Sequence, residues 1–381
     1  IIERMIRSAE NLEPYQYYTN LPRGKVEYQV IPKLYDYKTI EESELFDIID
    51  GTINAALGEG AVKTSGMLSV KRGKVVLITS GEREGEYRYS LVQLCIRAFS
   101  NEELSGQWAA VSTFIDDLDY EEVGRKAGRL ATTCRNVRTV TPGRYDILFS
   151  PMVMGNLLNM IGFEVSAFYV DMGLSAFINK IGERVAAENV TIIDNPTMEG
   201  NPGGKPFDDE GVPTREVNII EKGVLKTYLH NSTTAKKYKT ETTGHAGVLV
   251  PVPHSLIVNT GDIEEDDALR ELKEGLYITN VWYTRFNNFM TGEFSSVVRD
   301  AAFYVKNGEI VYYAKGCRIS DSILRILNSI RGLTKKREWI KWWEVEVPVL
   351  LPHVIVEDLS LIHISEPTRP LYISYAVFCL K

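Results

Sequence analysis

The residues able to do chemistry in this chain are few and widely spaced. There are five histidines, of which His230, His245, His254 and His353 precede residue 361. None sits in HExxH, in HxH or in a pair at helical spacing, so no local zinc site is encoded. His245 lies in Thr243-Gly244-His245-Ala246-Gly247, where the flanking glycines let the backbone approach a neighbour or a ligand closely. Two readings stand for it: a pocket-lining histidine, or a loop histidine satisfied by local hydrogen bonds. Asp208-Asp209-Glu210-Gly211 follows the glycine-rich stretch "EGNPGG". Three carboxylates there could bind a cation or supply a general base. The other reading is a solvated turn that caps the next element and pairs with Arg215.

Several mechanisms lack their residues. "EGNPGG" is neither GxGxxG nor a Walker loop, and there is no GxSxG, so nucleotide binding and a serine nucleophile have no support. Cys317 in "AKGCRIS" reads as a small strand hydrophobe. Trp339, Trp342 and Trp343 lie amid charge in "KKREWIKWWEVEV". They could form a peptide-contacting patch, but a strand packing alternate indoles into the core is the favoured reading.

The 381 residues are 44% hydrophobic and 25% charged, which fits a globular protein of one large or two ordinary domains with a core needing no disulfide staple. Asp plus Glu outnumber Lys plus Arg by 51 to 43, a net charge of -8, which argues against nucleic acid or an anionic membrane as main partner. Cys95, Cys134, Cys317 and Cys379 form no CxxC pair and suit a reducing compartment. No run of some 18 uncharged apolar residues predicts a membrane span. The start, Ile1-Ile2-Glu3-Arg4-Met5, does not read as a signal peptide. It also lacks an initiator Met, so an N-terminally incomplete chain is expected, with the cytoplasm as its location.

The elements that must position these residues follow from periodicity. "IIERMIRSAENL" reads as a helix, as does 40–60, whose Leu45, Ile48, Ile49, Ile53 and Leu57 share helical spacing. Strands follow, with Lys71-Arg72-Gly73-Lys74 expected as a hairpin turn between two of them, then the helix "DLDYEEVGRKAGRLATTC", acidic early and basic late as the macrodipole favours. Residues 1–140 are thus expected to form a mixed α/β domain. A β-rich, barrel-like domain is expected over 141–360, giving an α+β fold. It would hold a helix at 152–169, shorter ones near 265–274 and 321–330, and hairpins with Gly turns at 219–225 and 304–312. Residues 361–381, opening "LIHISEPTRP", change character and resemble adapter-derived read-through. They are expected to be a non-native tail that adds no strand to a sheet, which removes His363 and Cys379 from any site.

Residues 175–248 resemble the signature stretch of the TldD/PmbA family. Ile181-Gly182-Glu183-Arg184-Val185, the Asp208-Asp209-Glu210-Gly211 run with Thr214, and Gly223-Val224-Leu225 carry the likeness. Thr291-Gly292-Glu293-Phe294-Ser295 and Lys306-Asn307-Gly308-Glu309-Ile310 extend it, and a weaker match runs from Ile1 to Leu359.

The resemblance implies peptidases that work as two related chains, known also as modulators of DNA gyrase. The TldD chain carries HExxxH on a helix and a Cys near its C-terminus, and zinc is the expected ion. Counting back from Ile181 puts the two His positions on Leu158 and Phe163 and the Glu on Asn159, and a shift of one residue is expected to restore no ligand. No Cys lies between Arg318 and Phe378. The pattern is similar to the PmbA (TldE) subunit, implying a chain with no catalytic residue or metal of its own, in a dimer with a TldD-type partner that holds the metal. Flexible peptides are the implied substrates, with no direct contact to nucleic acid or membrane. Glu183, Arg184, Asp208, Asp209, Glu210 and His245 are the candidate groove residues. The alternatives are a peptidase of different mechanism centred on His245 with Asp209 or Glu210, and a homo-oligomeric binding or scaffold protein.

Overall fold

The computed structural model describes residues 1–13 and 16–363. The chain begins with α1 (Ile2–Glu10), none of whose residues is buried, and after an extended stretch forms α2 (Glu42–Gly58). β1 (Lys63–Ile78), β2 (Glu84–Phe99) and β3 (Ser105–Ser112) make an antiparallel three-stranded sheet. β1 and β2 pair through sixteen residues, so the turn expected at Lys71–Lys74 is continuous strand and the hairpin turns at 79–83. α3 (Tyr120–Thr132) is capped by Asp119, whose carboxylate accepts from the Glu122 amide. Gly124 lets α3 sit tightly on α2, because a Cβ there would meet the Thr52 carbonyl at 2.1 Å.

Two sheets follow. The larger has ten strands. It takes β4 (Val137–Thr139) and β5 (Gly143–Phe149) from the chain before α4 (Pro151–Glu164) and α5 (Ala167–Asp171). β6 (Ile192–Asp194), β7 (Val217–Glu221) and β8 (Val224–Leu225) belong to the smaller, six-stranded sheet, and α6 (Ser232–Tyr238) precedes its next strand, β9 (Leu256–Val258). After α7 (Ala268–Leu272), the larger sheet adds β10 (Gly275–Ile278), β11 (Val281–Asn288) and β12 (Glu293–Val298). β13 (Ala302–Lys306), β14 (Glu309–Lys315) and β15 (Cys317–Ser322) extend it, followed by α8 (Ile323–Asn328) and β16 (Ile330–Leu333). β17 (Glu338–Trp342) and β18 (Val345–Leu351) return to the smaller sheet, and β19 (Val354–His363) closes in the larger one between β15 and β5. The larger sheet curls into a half-barrel, so the fold is mixed α/β, 23% helix and 37% strand, as the α+β reading anticipated.

Two further expectations need correction. The helix foreseen at 152–169 is two helices, because Ser166 leaves the helical path to bridge Leu229 and donates to the Pro251 carbonyl. Residues 361–363 also add to a sheet. Leu361 is buried and pairs with Gly143 and Ile319, and His363 stands opposite Cys317. The apolar Leu-Ile pair continues the alternation of β19, which outweighs the compositional break. Residues 364–381 lie outside the described residues.

Candidate functional site

Ser150 starts α4: its hydroxyl accepts from the Val153 amide and donates to the Thr279 carbonyl, with Pro151 at the first helical position. The helix that follows is apolar nearly all round, as a helix enclosed by sheets requires. Gly155 and Gly162 let it press on β18 and β9, since a Cβ would meet Val349 at 2.9 Å and Leu256 at 2.6 Å. One stripe stays open. Asn156, Asn159, Met160 and Phe163, at i, i+3, i+4 and i+7, wall a cleft of about 460 Å³. Thr284 and Arg285 of β11 form a second wall, and Trp343, Glu344 and Glu346 of the β17–β18 hairpin form the third.

Glu344 ties the walls together. Its nearly buried carboxylate accepts from the Tyr283 amide at 2.9 Å and the Asn156 side chain at 3.2 Å, and Arg285 stands 3.6 Å away. Asn159 is fixed as firmly: its amide donates to the Val347 carbonyl at 3.0 Å and accepts from the Val347 N–H at 2.9 Å, as a neighbouring strand would. Tyr283 has φ 57, a positive value uncommon for a non-glycine residue, where β11 bulges against β12 at the cleft.

The three degenerate positions do not act as a set. Leu158 and Phe163 are five residues apart, about 140° around a helix. Leu158 is fully buried in the core, whereas Phe163 is half-buried at the cleft wall and edge-on to Tyr169. A register one residue on brings in Glu164, a residue of ligand type that the count passes over. It is 2% exposed, and neither carboxyl oxygen has a hydrogen-bond partner. Burial pushes its pKa up to about 8. Among the described residues no group of three or more His, Cys, Asp or Glu could hold a metal ion. The cleft offers carboxylates and amides, with Glu344 already engaged, and this donor set does not fit the zinc that the resemblance implies for the partner.

Three histidines, His230, His245 and His254, form a separate, closed nest, while His353 stacks on Trp108 elsewhere. His245 and His254 stack at 4.7 Å and 9°. His245 is fully buried, with Nδ1 3.0 Å from both the carbonyl and the hydroxyl of Thr243. Its Nε2 stands 3.4 Å from Asp194 without closing a hydrogen bond. Asp194 accepts the amides of His254 and Ser255. Asp208 accepts those of Glu210, Val212 and Ala246, and burial raises its pKa to about 6. Glu210 instead caps α6 through the Ser232 amide and hydroxyl, and Asp209 is exposed. His245 is thus held by its own loop through Nδ1 alone, and its carboxylate neighbour is Asp194 in place of Asp209 or Glu210. Glu183 and Arg184 are exposed: Glu183 pairs with Lys180 and Arg184 reaches the Lys222 carbonyl. None of the six groove candidates lines the α4 cleft. The tryptophans divide, with Trp342 in the core and Trp343 half exposed at the cleft.

Comparison with known proteins matches residues 142–363 to the PmbA/TldA metallopeptidase C-terminal domain and residues 35–135 to the central domain of the same family. The chain belongs to the PmbA/TldD family. A metalloprotease of Methanocaldococcus jannaschii is 30% identical over 283 residues, 70% of this chain and 60% of the relative. A metalloprotease PmbA homolog of Buchnera aphidicola is 27% identical, over 59% and 49% of the two chains. This chain thus spans about half to two thirds of these curated relatives. The fold overlays a Thermotoga maritima structure described as a modulator of a DNA gyrase with TM-score 0.84 and 27% identity, covering 94% of this chain and 83% of that one. It overlays TldE of Thermococcus kodakarensis with TM-score 0.82 and 20% identity, over 94% and 83%.

Within this PmbA/TldD chain, sequence reading passed over Glu344, Arg285, Asp194 and Glu164. A signal existed for two of them. Glu164 and Asp194 are carboxylates inside apolar runs, "MIGFEVSAF" and "TIIDN", where a charge must find donors or lose its proton. Nothing local marks Arg285 or Glu344, which meet only through the fold.

Proposed function

We propose that this chain is the non-catalytic, TldE/PmbA-type subunit of a two-chain TldD/TldE metallopeptidase acting on flexible peptides in the cytoplasm. Its TldD-type partner would carry HExxxH and a zinc ion. The observation that carries the reading is the α4 cleft. It lies on the helix where the resemblance puts the ligands, yet that helix presents Asn156, Asn159, Met160 and Phe163, which can contact a peptide but supply neither histidine nor carboxylate, and of the facing carboxylates, Glu344 and Glu346, the first is already engaged. A chain of this kind would complete the substrate cavity, with Arg285 and Trp343 as contacts for an extended backbone. The family names of its relatives support the peptidase setting. The full burial of His245 supports this reading over a mechanism centred on that residue.

The test assays this chain alone, an HExxxH family chain alone and the mixture against an unstructured peptide. Chelator-sensitive cleavage confined to the mixture is expected. Cleavage by this chain alone that survives metal removal overturns the assignment, and failure of the two chains to associate favours a homo-oligomeric scaffold.

A further inference from the structure

The indole of Trp282, on β11, packs against the aromatic wall of the α4 cleft, and among the described residues no hydrogen bond holds it: its Nε1 is buried without a partner. Trp343, the half-exposed residue of the cleft, lies edge-on to it at 5.4 Å and 90°, and Trp342 lies 6.4 Å away at 54°. Two cations stand over the ring, the Arg97 guanidinium at 5.3 Å from the centroid and that of Arg299 at 5.7 Å. A guanidinium over an indole face is attracted by the ring quadrupole, and more strongly where water is excluded. The place of this indole, and of Trp343 against it, therefore depends on what holds those cations.

Arg299 is exposed, whereas Arg97 is anchored. Its Nε donates to the fully buried Asp300 carboxylate and its Nη2 to the Ser105 hydroxyl at 3.2 Å, while the guanidinium also covers the Phe99 ring at 4.7 Å. The Asp300 carboxylate accepts two more hydrogen bonds at 3.0 Å, from the Ser105 hydroxyl and the Asn280 amide. A buried carboxylate with three donors is a firm post, and bonds between charged groups are the strong ones. Asn280 in turn accepts the Val281 amide at 2.9 Å, where β11 begins. That strand supplies Thr284 and Arg285 to the cleft. Arg97 and Ser105 lie in the central-domain stretch of the chain, and Asp300, Trp282 and Trp343 in the C-terminal-domain stretch.

We propose that Arg97 is a positioning residue for the α4 cleft: held on Asp300, its guanidinium fixes the Trp282 indole, against which Trp343 takes its place in the cleft wall. A side chain of the central domain thus sets a contact surface of the C-terminal domain. The effect on peptide binding rests on the reading of the cleft as a peptide surface, and the effect on the two indoles rests on the geometry alone. A lysine at position 97 keeps a charge beside Asp300 but has neither the planar face that stacks on an indole nor the fork that reaches Ser105 as well.

The experiment labels the full chain and its Arg97→Lys variant with fluorotryptophan and records fluorine resonances, with Trp282→Phe and Trp343→Phe identifying two of the five tryptophan signals. Both signals should shift in Arg97→Lys while the thermal midpoint falls by only a few degrees. In the pair reconstituted with an HExxxH chain, KM for an unstructured peptide should rise about threefold with kcat unchanged, the size of one partly exposed cation–π contact. The rise should vanish where Trp343→Ala is already present, because an effect relayed through Trp343 does not add to its loss. The double variant Arg97→Met with Asp300→Asn, which removes the cation and the buried charge together, should give the same shifts and the same rise. Unmoved indole signals in both variants overturn the proposal. So does a KM rise that persists in the Trp343→Ala background, or a wild-type KM in Arg97→Lys beside a raised one in Trp343→Ala. If Trp343→Ala itself leaves KM unchanged, the peptide reading fails, and the indole signals of the chain alone still decide whether Arg97 sets the wall.

Discussion

The α4 cleft and the histidine nest use similar polar residues in opposite relation to water. In the nest His230, His245 and His254 are at most 4% exposed, and Asp194 and Asp208 are bound to backbone amides. These groups hold loops in place, and no opening leads to them among the clefts described. In the cleft Glu344 and Asn159 are just as firmly tied, but they brace a surface on which Trp343 is half exposed and Arg285 more so. Residue types suited to catalysis therefore mark the framework in the nest, and the more open surface of the cleft is carried by Trp343 and Arg285.

The largest effect that tests this contrast lies in the nest. Asp194→Ala strips the acceptor from the buried amides of His254 and Ser255. Each orphaned donor costs about 1–3 kcal/mol, out of a total stability of about 5–15 kcal/mol. A fall of about 10 °C or more in the thermal midpoint is expected, or loss of soluble protein. A midpoint unchanged within error would show that the nest is no framework and would reopen it as a site.

Next in size is the pH profile, whose two limbs separate the two regions. Burial lowers the pKa of His230 to about 4, that of His353 to about 4 and that of His254 well below 6.5. Below pH 6.5 the unfolded chain takes up protons that these folded histidines refuse, so stability falls as pH drops, by about 1.4 kcal/mol per unit for each. Asp208 and Glu164, raised to about 6 and about 8, act in reverse. From about pH 4 upward the unfolded chain releases their protons while the fold keeps them, so stability is lost with rising pH until each folded pKa is passed. The balance puts maximum stability near pH 6.5, with an acid limb set by histidines and an alkaline limb set by Glu164 on α4. Glu164→Gln should abolish the alkaline limb and raise stability at pH 8 by a few kcal/mol at most, as thermal melts across pH 4–9 would show. An alkaline limb that persists in the variant would mean Glu164 is ionised in the fold.

Much of the fold was legible because its signals are local. The periodicity of 40–60 became α2, the charge gradient of 120–132 became α3, and the glycine turns of 219–225 and 304–312 became β7–β8 and β13–β14. The site was less legible because it is assembled across long separations. Asn156 meets Glu344 and Asn159 meets Val347, each 188 residues away. Counting along α4 named Leu158, Asn159 and Phe163, but only a helix with known neighbours shows that Leu158 faces the core and Phe163 the cleft. The Asp208 run read well as a turn, since its carboxylate binds three amides. The strand through Leu361 was obscured by weighing composition over alternation.

The smallest effect on stability should carry the largest effect on binding. Trp343 is half exposed and touches Trp282 and Trp342 edge-on at 5.4 and 5.3 Å. Losing such aromatic contacts costs about 0.5–1.5 kcal/mol, so Trp343→Ala should lower the thermal midpoint by only a few degrees in a chain of this size. If the cleft completes a peptide cavity, the same change removes a contact made equally in ground and transition states. That raises KM without lowering kcat, and about tenfold is expected for an aromatic anchor. Arg285→Ala, an exposed side chain whose nearby partner Glu344 keeps two other donors, should act in the same direction by less. Peptide cleavage by the reconstituted pair separates the two regions: a cleft variant with a near-normal midpoint and a raised KM sustains the contrast. If KM stays at the wild-type value in both variants while the pair remains assembled, the cleft is as much framework as the nest.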